Sequence, residues 1–298
     1  MIYDLQHVTT YSYSARVDLA HHMLCLAPRD LPWQRVLKAD ISAQPGGARG
    51  QRRTDRFGNL IDRVTIDAPH DSLRIESVAR VVVERKAPDL ASPAWEDVRA
   101  RLRDDGFPEA ARESEFIYAT PQTPALEQAR ALADLCFAPR TPMLRGAREL
   151  TRRIRAGFAF DPAATQVSTP LAEVFRTRRG VCQDFAHVAL ASLRSLGLAA
   201  RYVSGYVRTF RTDGEPNLQG GDASHAWIAV WCPDAGWVEF DPTNDLVVTD
   251  QHVTVAQGRD YGDVSPIRGI ILGGGEHSLS VAVRLAEVPA QELEDVRS

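Results

Sequence analysis

Arg179-Gly180-Val181-Cys182-Gln183-Asp184-Phe185-Ala186 sets a cysteine just after a glycine, where an apolar helical pattern begins. Phe185, Ala189, Leu193 and Leu196 then recur at steps of three and four, and Gly197 follows as a C-cap. The spacing predicts a helix over 182–196 with Cys182 in its first turn. A helix N-terminus carries the equivalent of about half a positive charge. Thiols in such places ionise readily, at pKa values of about 3.5–7.5 against ~8.5 for a free cysteine. Cys182 is therefore a candidate nucleophile, set against the plainer reading of a small buried hydrophobe.

Upstream, residues 1 to about 86 read as short strands. Tyr3-Asp4-Leu5-Gln6-His7-Val8 alternates, Asp55-Arg56-Phe57-Gly58-Asn59 marks a hairpin turn, and Val78, Val81, Val82 and Val83 close the series. Pro88, Ser92 and Pro93 mark a boundary, and helices follow. Ser92-Pro93, Thr123-Pro124, Thr141-Pro142 and Thr169-Pro170 repeat one start signal, a capping hydroxyl before a proline at N1. Strands return at 200–207, 226–231 and 237–241, with a last one at 279–285. The expected class is α+β, divided as 1–88, an antiparallel β domain, and 89–298, a core domain with a C-terminal strand.

A cysteine nucleophile needs a base within reach, and the base needs an orienting partner. On a helix, His187 points ~140° away from Cys182 at ~100° per residue, which removes it. His225, in Ser224-His225-Ala226-Trp227, opens a strand after the glycine-rich 209–223 stretch, and Asp241 ends the next strand. A hairpin can bring that carboxylate to the imidazole. Register opposes it, however. With Pro233–Gly236 as a four-residue loop, Cys232 pairs with Trp237 and His225 falls on the face opposite Asp241. A bulge or an odd-length loop between 225 and 241 is required. A zinc site from Cys182, His225 and Cys232 is the competing use of these residues. Cys25, Cys136 and Cys232 read as core, and Gly273-Gly274-Gly275 as a turn.

Bulk properties narrow the function. The 298 residues carry a formal net charge of −4 and a pI near 6.1, so bulk electrostatics gives no reason to expect nucleic acid or anionic membrane as a partner. Four cysteines without C-x-x-C spacing fit neither a disulfide scaffold nor a zinc signature. Without a signal-peptide pattern or an apolar run of spanning length, the expectation is a cytoplasmic protein.

The blocks around Cys182, His225 and Asp241, together with Leu196-Gly197-Leu198-Ala199-Ala200-Arg201-Tyr202-Val203-Ser204-Gly205-Tyr206, resemble the core of bacterial transglutaminase-like proteins. His7, Tyr11, Tyr13, Pro28-Arg29 and Asp55–Asn59 resemble the N-terminal region of those proteins, and 258–266 their C-terminal block. The resemblance implies a papain-like core in which Cys182 is nucleophile, His225 base and Asp241 orienter. It implies acyl transfer through a thioester, with a peptide or protein as substrate. Hydrolysis, amine transfer by a transglutaminase, and a non-catalytic peptide-binding module on the same fold are the three readings, hydrolysis leading. The Cys182 N–H is one candidate oxyanion donor; Gln183 and Tyr206 are candidates for the second. No spaced acidic loop suggests calcium, so neither metal nor other cofactor is expected. The 209–223 stretch is a candidate lid.

Overall fold

The computed structural model describes residues 1–104, 112–208 and 223–288. The alternation at the N-terminus opens β1 (Ile2–Leu24), which buries Tyr3, Leu5 and His7 on one face. β2 (Gln34–Gln44), β3 (Ala48–Arg49), β4 (Arg53–Thr54), β5 (Leu60–Ile66) and β6 (His70–Val83) complete the first β region. Its sheet runs β2-β6-β1-β5-β3, with β4 beside β5. The turn before β5 is built by Asp55, whose Oδ1 accepts from the N–H groups of Phe57 and Asn59, each at 2.8 Å.

Helices at Trp95–Arg101, Glu127–Asp134, Met143–Gly157 and Leu171–Thr177 follow. The Ser/Thr-Pro pairs lie ahead of these starts, but no side chain caps any of the four. Pro142 and Pro170 take the N-cap position itself, one place earlier than expected. Their carbonyls accept from Gly146 and Glu173, a role that needs no N–H from proline. Ser92 instead accepts from the Leu144 N–H and ties the segment before the Trp95–Arg101 helix to the start of the Met143–Gly157 helix.

β7 (Ala159–Phe160) and β8 (Arg179–Gly180) form a short parallel pair. It delivers the chain into the Cys182–Ser195 helix, which ends as expected at Gly197, φ +74°. β9 (Ala200–Val207), β10 (His225–Cys232), β11 (Gly236–Asp241), β12 (Leu246–Val247) and β13 (His252–Gly258) make an antiparallel sheet in the order β12-β11-β10-β9-β13. Phe185, Ala189, Leu190 and Leu193 of the helix share one core with Tyr202, Ile228 and Val230 of that sheet. Arg194, at the other end of the helix, donates to the carbonyls of Phe116, Ala200 and Arg259.

After a short helix at Tyr261–Val264 the chain returns to the first sheet. β14 (Ile267–Gly273) pairs with residues 17–24 of β1, and β15 (His277–Glu287) with residues 3–13. The expected C-terminal strand therefore pairs with β1 rather than with the β9–β13 sheet. Gly273, which ends β14, and the next two glycines all have positive φ, as a turn requires. The two sheets are also joined by side-chain amides. Gln34 Nε2 donates to the Thr254 carbonyl at 2.7 Å, and its Oε1 accepts from the Thr254 N–H at 2.8 Å. Asn59 makes the same two-point contact with Gln257, at 2.7 and 2.8 Å. Both amides are buried and take the place of a neighbouring strand on β13.

Gly205 lies where β9 passes closest to its neighbours. A Cβ there would meet the Val253 carbonyl at 2.1 Å and the Trp227 ring at 2.5 Å. Gly205→Ala is expected to lower stability by about 1–3 kcal/mol, the range for overpacking. Denaturant unfolding of the full chain reads this directly; an unchanged midpoint would contradict the crowding.

Candidate active site

Cys182 is the first residue of its helix, and the extended Val181 is the N-cap. The Val181 N–H donates to Asp184 Oδ2 at 2.8 Å, and Thr165 Oγ1 donates to the same oxygen at 2.6 Å. A carboxylate in the first turn complements the helix dipole and fixes the bend into the helix. Gly180 is needed for that approach, because a Cβ would lie 2.5 Å from Asp184 Oδ2. Cys182 is half-buried, whereas Cys25, Cys136 and Cys232 are buried. Burial pushes the Cys25 and Cys136 thiols up to about 12 and raises that of Cys232.

The hairpin resolves the register conflict through its loop. Cys232 pairs with Gly236, not Trp237, so the loop is Pro233-Asp234-Ala235, three residues long. Ala235 N–H closes the turn on the Cys232 carbonyl, and Gly236 takes φ +67°, the usual chemistry of a three-residue hairpin loop. The β10–β11 ladder is regular from there to Ile228 and Phe240. One residue fewer in the loop inverts the facing of β11 relative to β10. His225 and Asp241 then meet, Nε2 to Oδ2, at 2.9 Å, with both side chains fully buried.

Asp241 is heavily served. Its Oδ1 accepts from the N–H groups of Thr243 and Asn244, at 2.9 and 3.2 Å. Its Oδ2 accepts from His225, from Asn244 Nδ2 at 2.8 Å and from His252 Nε2 at 3.2 Å. Burial alone would raise its pKa; the His225 and His252 imidazoles hold it far below the usual carboxylate range instead. Burial alone would lower the His225 pKa, but the Asp241 charge overrides it and, with the neighbouring Cys182 side chain, holds the imidazolium above its ordinary range. Nε2 belongs to Asp241, so Nδ1 is the nitrogen left for the thiol. It makes no hydrogen bond of ordinary geometry, a looseness common before substrate binds.

The other sequence candidates are displaced. His187 packs on Tyr202, with ring centroids 5.3 Å apart, and its Nε2 accepts from the Tyr261 N–H; burial drives its pKa down to about 3. The Tyr206 hydroxyl is bonded to His7 Nδ1 at 2.9 Å in the buried seam between the sheets. Gln183 Nε2 reaches the Val167 carbonyl at 3.4 Å. Both side chains thus have partners of their own. Cys232 ends the strand that His225 opens, roughly 23 Å away at 3.3 Å per residue, so the two share no zinc ion. His225, Asp241 and His252 do bring three donor atoms within 4.8 Å, but three further donors, the N–H groups of Thr243 and Asn244 and Asn244 Nδ2, already occupy the Asp241 carboxylate. Of the 209–223 stretch, residues 209–222 lie outside the described residues.

Two supporting groups, Asn244 and His252, escaped the sequence reading, and a third, Trp227, reads there only as core or cleft wall. Asn244 follows Asp241 closely and signals an Asx-type turn. His252 starts β13, and only the β9–β13 pairing brings it near. Trp227 stacks on His225, with centroids 6.1 Å apart, and donates Nε1 to Glu239 Oε2 at 2.6 Å. Glu239 is held in turn by Arg85, at 2.6 and 2.9 Å.

Two family models match this chain. The bacterial transglutaminase-like N-terminal region spans residues 3–82, and the transglutaminase-like superfamily model spans 122–242 and ends one residue beyond Asp241. The chain belongs to the transglutaminase-like superfamily. This transglutaminase-like protein is 36% identical over 283 residues to an uncharacterized protein of Mycobacterium tuberculosis, covering 93% of this chain and 90% of the relative. A protein-glutamine gamma-glutamyltransferase of Pseudomonas aeruginosa is 36% identical over 161 residues, covering 49% of this chain and 23% of that protein. A crystal structure of a proposed cysteine protease from Cytophaga hutchinsonii shares the fold, with a TM-score of 0.73, 19% identity, and coverage of 97% and 92% of the two chains.

Ring nitrogen NMR across pH gives a direct check on the electrostatics. His225 is expected to stay protonated above neutrality, while His7, lowered by burial to about 4, and His187 stay neutral. In linkage terms, the raised His225 pKa stabilises the fold below the unfolded imidazole value of about 6.5, and this contribution is lost as pH rises through the folded value. A His225 ring that is neutral at neutral pH would contradict the assignment.

Proposed function

We propose that this protein performs thiol-dependent acyl transfer on peptide or isopeptide amides, with water as the usual acceptor. The observation that carries the reading is the His225–Asp241 hydrogen bond beside the half-buried Cys182 at a helix N-terminus. Membership of the transglutaminase-like superfamily supports the same chemistry.

In the proposed cycle, Cys182 Sγ attacks the amide carbonyl carbon and the carbonyl π electrons move to oxygen. The Cys182 N–H, at the start of the helix, is the donor proposed to hold that developing charge. The oxyanion collapses, the C–N bond breaks, and the leaving amine takes the proton of the His225 imidazolium. A thioester remains. Neutral His225 then takes a proton from water as its oxygen adds to the thioester carbon. Collapse expels the Cys182 thiolate and leaves a carboxylic acid. With an amine in place of water, the same steps end in a new amide. Proton transfer of this kind is worth about 10²–10⁴ in rate. Asp241 keeps the ring in the tautomer that leaves Nδ1 free as the base.

Hydrolysis leads because, among the described residues, no feature marks a site for an amine acceptor beside Cys182. Product analysis by mass spectrometry, using a glutamine-containing peptide with and without added primary amine, tests both parts. Free acid in both conditions is the expected result, and Cys182→Ala should lower the rate by roughly 10³-fold or more. Product carrying the amine, with little free acid, would make the protein a transglutaminase. Turnover unchanged in Cys182→Ala would refute thiol chemistry.

A further inference from the structure

Asp241 serves two imidazoles. Its Oδ2 accepts from His225 at 2.9 Å and from His252 at 3.2 Å. The two histidines come from different strands, β10 and β13, which lie on either side of β9. Trp227 packs against both and completes a triangle of rings, its centroid 5.1 Å from His252 and 6.1 Å from His225, with the two imidazole centroids 6.1 Å apart. All of these side chains are buried.

Two imidazolium ions at that separation repel strongly where water is excluded, so one carboxylate can support only one of them as a cation. The groups around His252 decide which. Asp241 favours its charge; burial, His225 and Arg85 oppose it and keep its pKa low. Glu239 lies across Trp227, where its carboxylate is already paired with Arg85. His252 is therefore the neutral partner, with Nε2–H fixed on Asp241 and Nδ1 left without a hydrogen bond. His225 is the one that carries the mobile proton.

The strand that brings His252 is gripped from its other side. Gln34 holds both backbone groups of Thr254, two residues beyond His252, and Asn59 holds both groups of Gln257. Both amides belong to the N-terminal β region. Without them, the outer edge of β13 would present unpaired buried backbone at these positions.

We infer that His252 is a positioning residue for the Cys182–His225–Asp241 site, and that the N-terminal β region sets its place through Gln34 and Asn59. The geometry stands on its own; the kinetic consequence rests on the thiol acyl-transfer reading. As a neutral donor, His252 shares the negative charge of Asp241 and limits how tightly the carboxylate holds the His225 proton. Its removal should raise the His225 titration and slow the step in which His225 must act as a base, the hydrolysis of the thioester.

The experiment uses the full chain and four variants: His252→Phe, His252→Gln, Gln34→Leu and the Gln34→Leu/His252→Phe double. Three quantities are read: thermal melting, the ring nitrogen titration of His225, and steady-state hydrolysis of p-nitrophenyl acetate. His252→Phe should move the His225 titration upward and slow turnover by roughly 10- to 100-fold, what the loss of one hydrogen bond to a charged group amounts to. His252→Gln can keep a donor and should stay within a few-fold of the parent. Gln34→Leu should shift both readouts in the same direction by less, and the double variant should be no slower than His252→Phe alone. An unchanged His225 titration and rate in folded His252→Phe would overturn the inference, and full additivity in the double variant would overturn the part played by Gln34. Should His252→Phe not fold, His252→Gln and Gln34→Leu carry the same comparison. If the parent shows no Cys182-dependent hydrolysis, the acyl-transfer reading fails, while the His225 titration still decides the role of His252.

Discussion

A buried carboxylate is the constraint around which this molecule is arranged. Asp241 has no exposed surface, and an unpaired ion in such a place costs several kcal/mol or more. It is tolerated because five donors converge on it, from the turn that follows it, from β10 and from β13. Each donor places a demand on the chain. Thr243 and Asn244 fix the turn after β11. His225 requires the short loop that inverts the hairpin. His252 requires β13 on the far side of β9. The second sheet is thus held in register partly by the needs of one carboxylate.

Much of this was legible in the residues. The 182–196 helix, its glycine C-cap and the helix-then-strand order follow from periodicity and cap chemistry, and they place Cys182 correctly. His225 and Asp241 were nameable as a pair. Parity requires a bulge or an odd loop between them, and the structure has the odd loop. Its length was misjudged by one residue because Gly236 reads as a turn residue; in the structure its left-handed backbone is already part of the ladder. The proline signals were shifted for a related reason. A proline carbonyl can accept the first helical hydrogen bond as readily as any other, so Pro142 and Pro170 sit one place outside the position assigned to them.

What local pattern could not reveal is whatever depends on strands distant in sequence. His252 reads as one more histidine at a strand start until β13 is known to lie beside β9. The same holds for β14 and β15, which join the first sheet after some 180 intervening residues beyond its last N-terminal strand. Tyr206 reads as a site candidate from its motif alone; only the seam between the sheets puts its hydroxyl on His7. The Gln34 and Asn59 contacts have no sequence signature, since a side-chain amide that imitates a strand edge leaves no periodicity.

The two halves of the chain therefore form one electrostatic unit. Arg85 neutralises Glu239 beneath Trp227, and the amide contacts steady β13 beneath His252. Both supports come from residues 34–85, at the N-terminal end of the chain, and act on the strands that carry the His225–Asp241–His252 cluster. The central claim, that Cys182 carries the acyl group, is tested most directly by acid-quenching the protein during turnover of an activated ester and mapping the modified peptide by mass spectrometry. The account predicts a thioester on the peptide containing Cys182, absent in Cys182→Ser and more persistent in His225→Ala. An acyl group found on any other residue, or none at all while product forms, would contradict it.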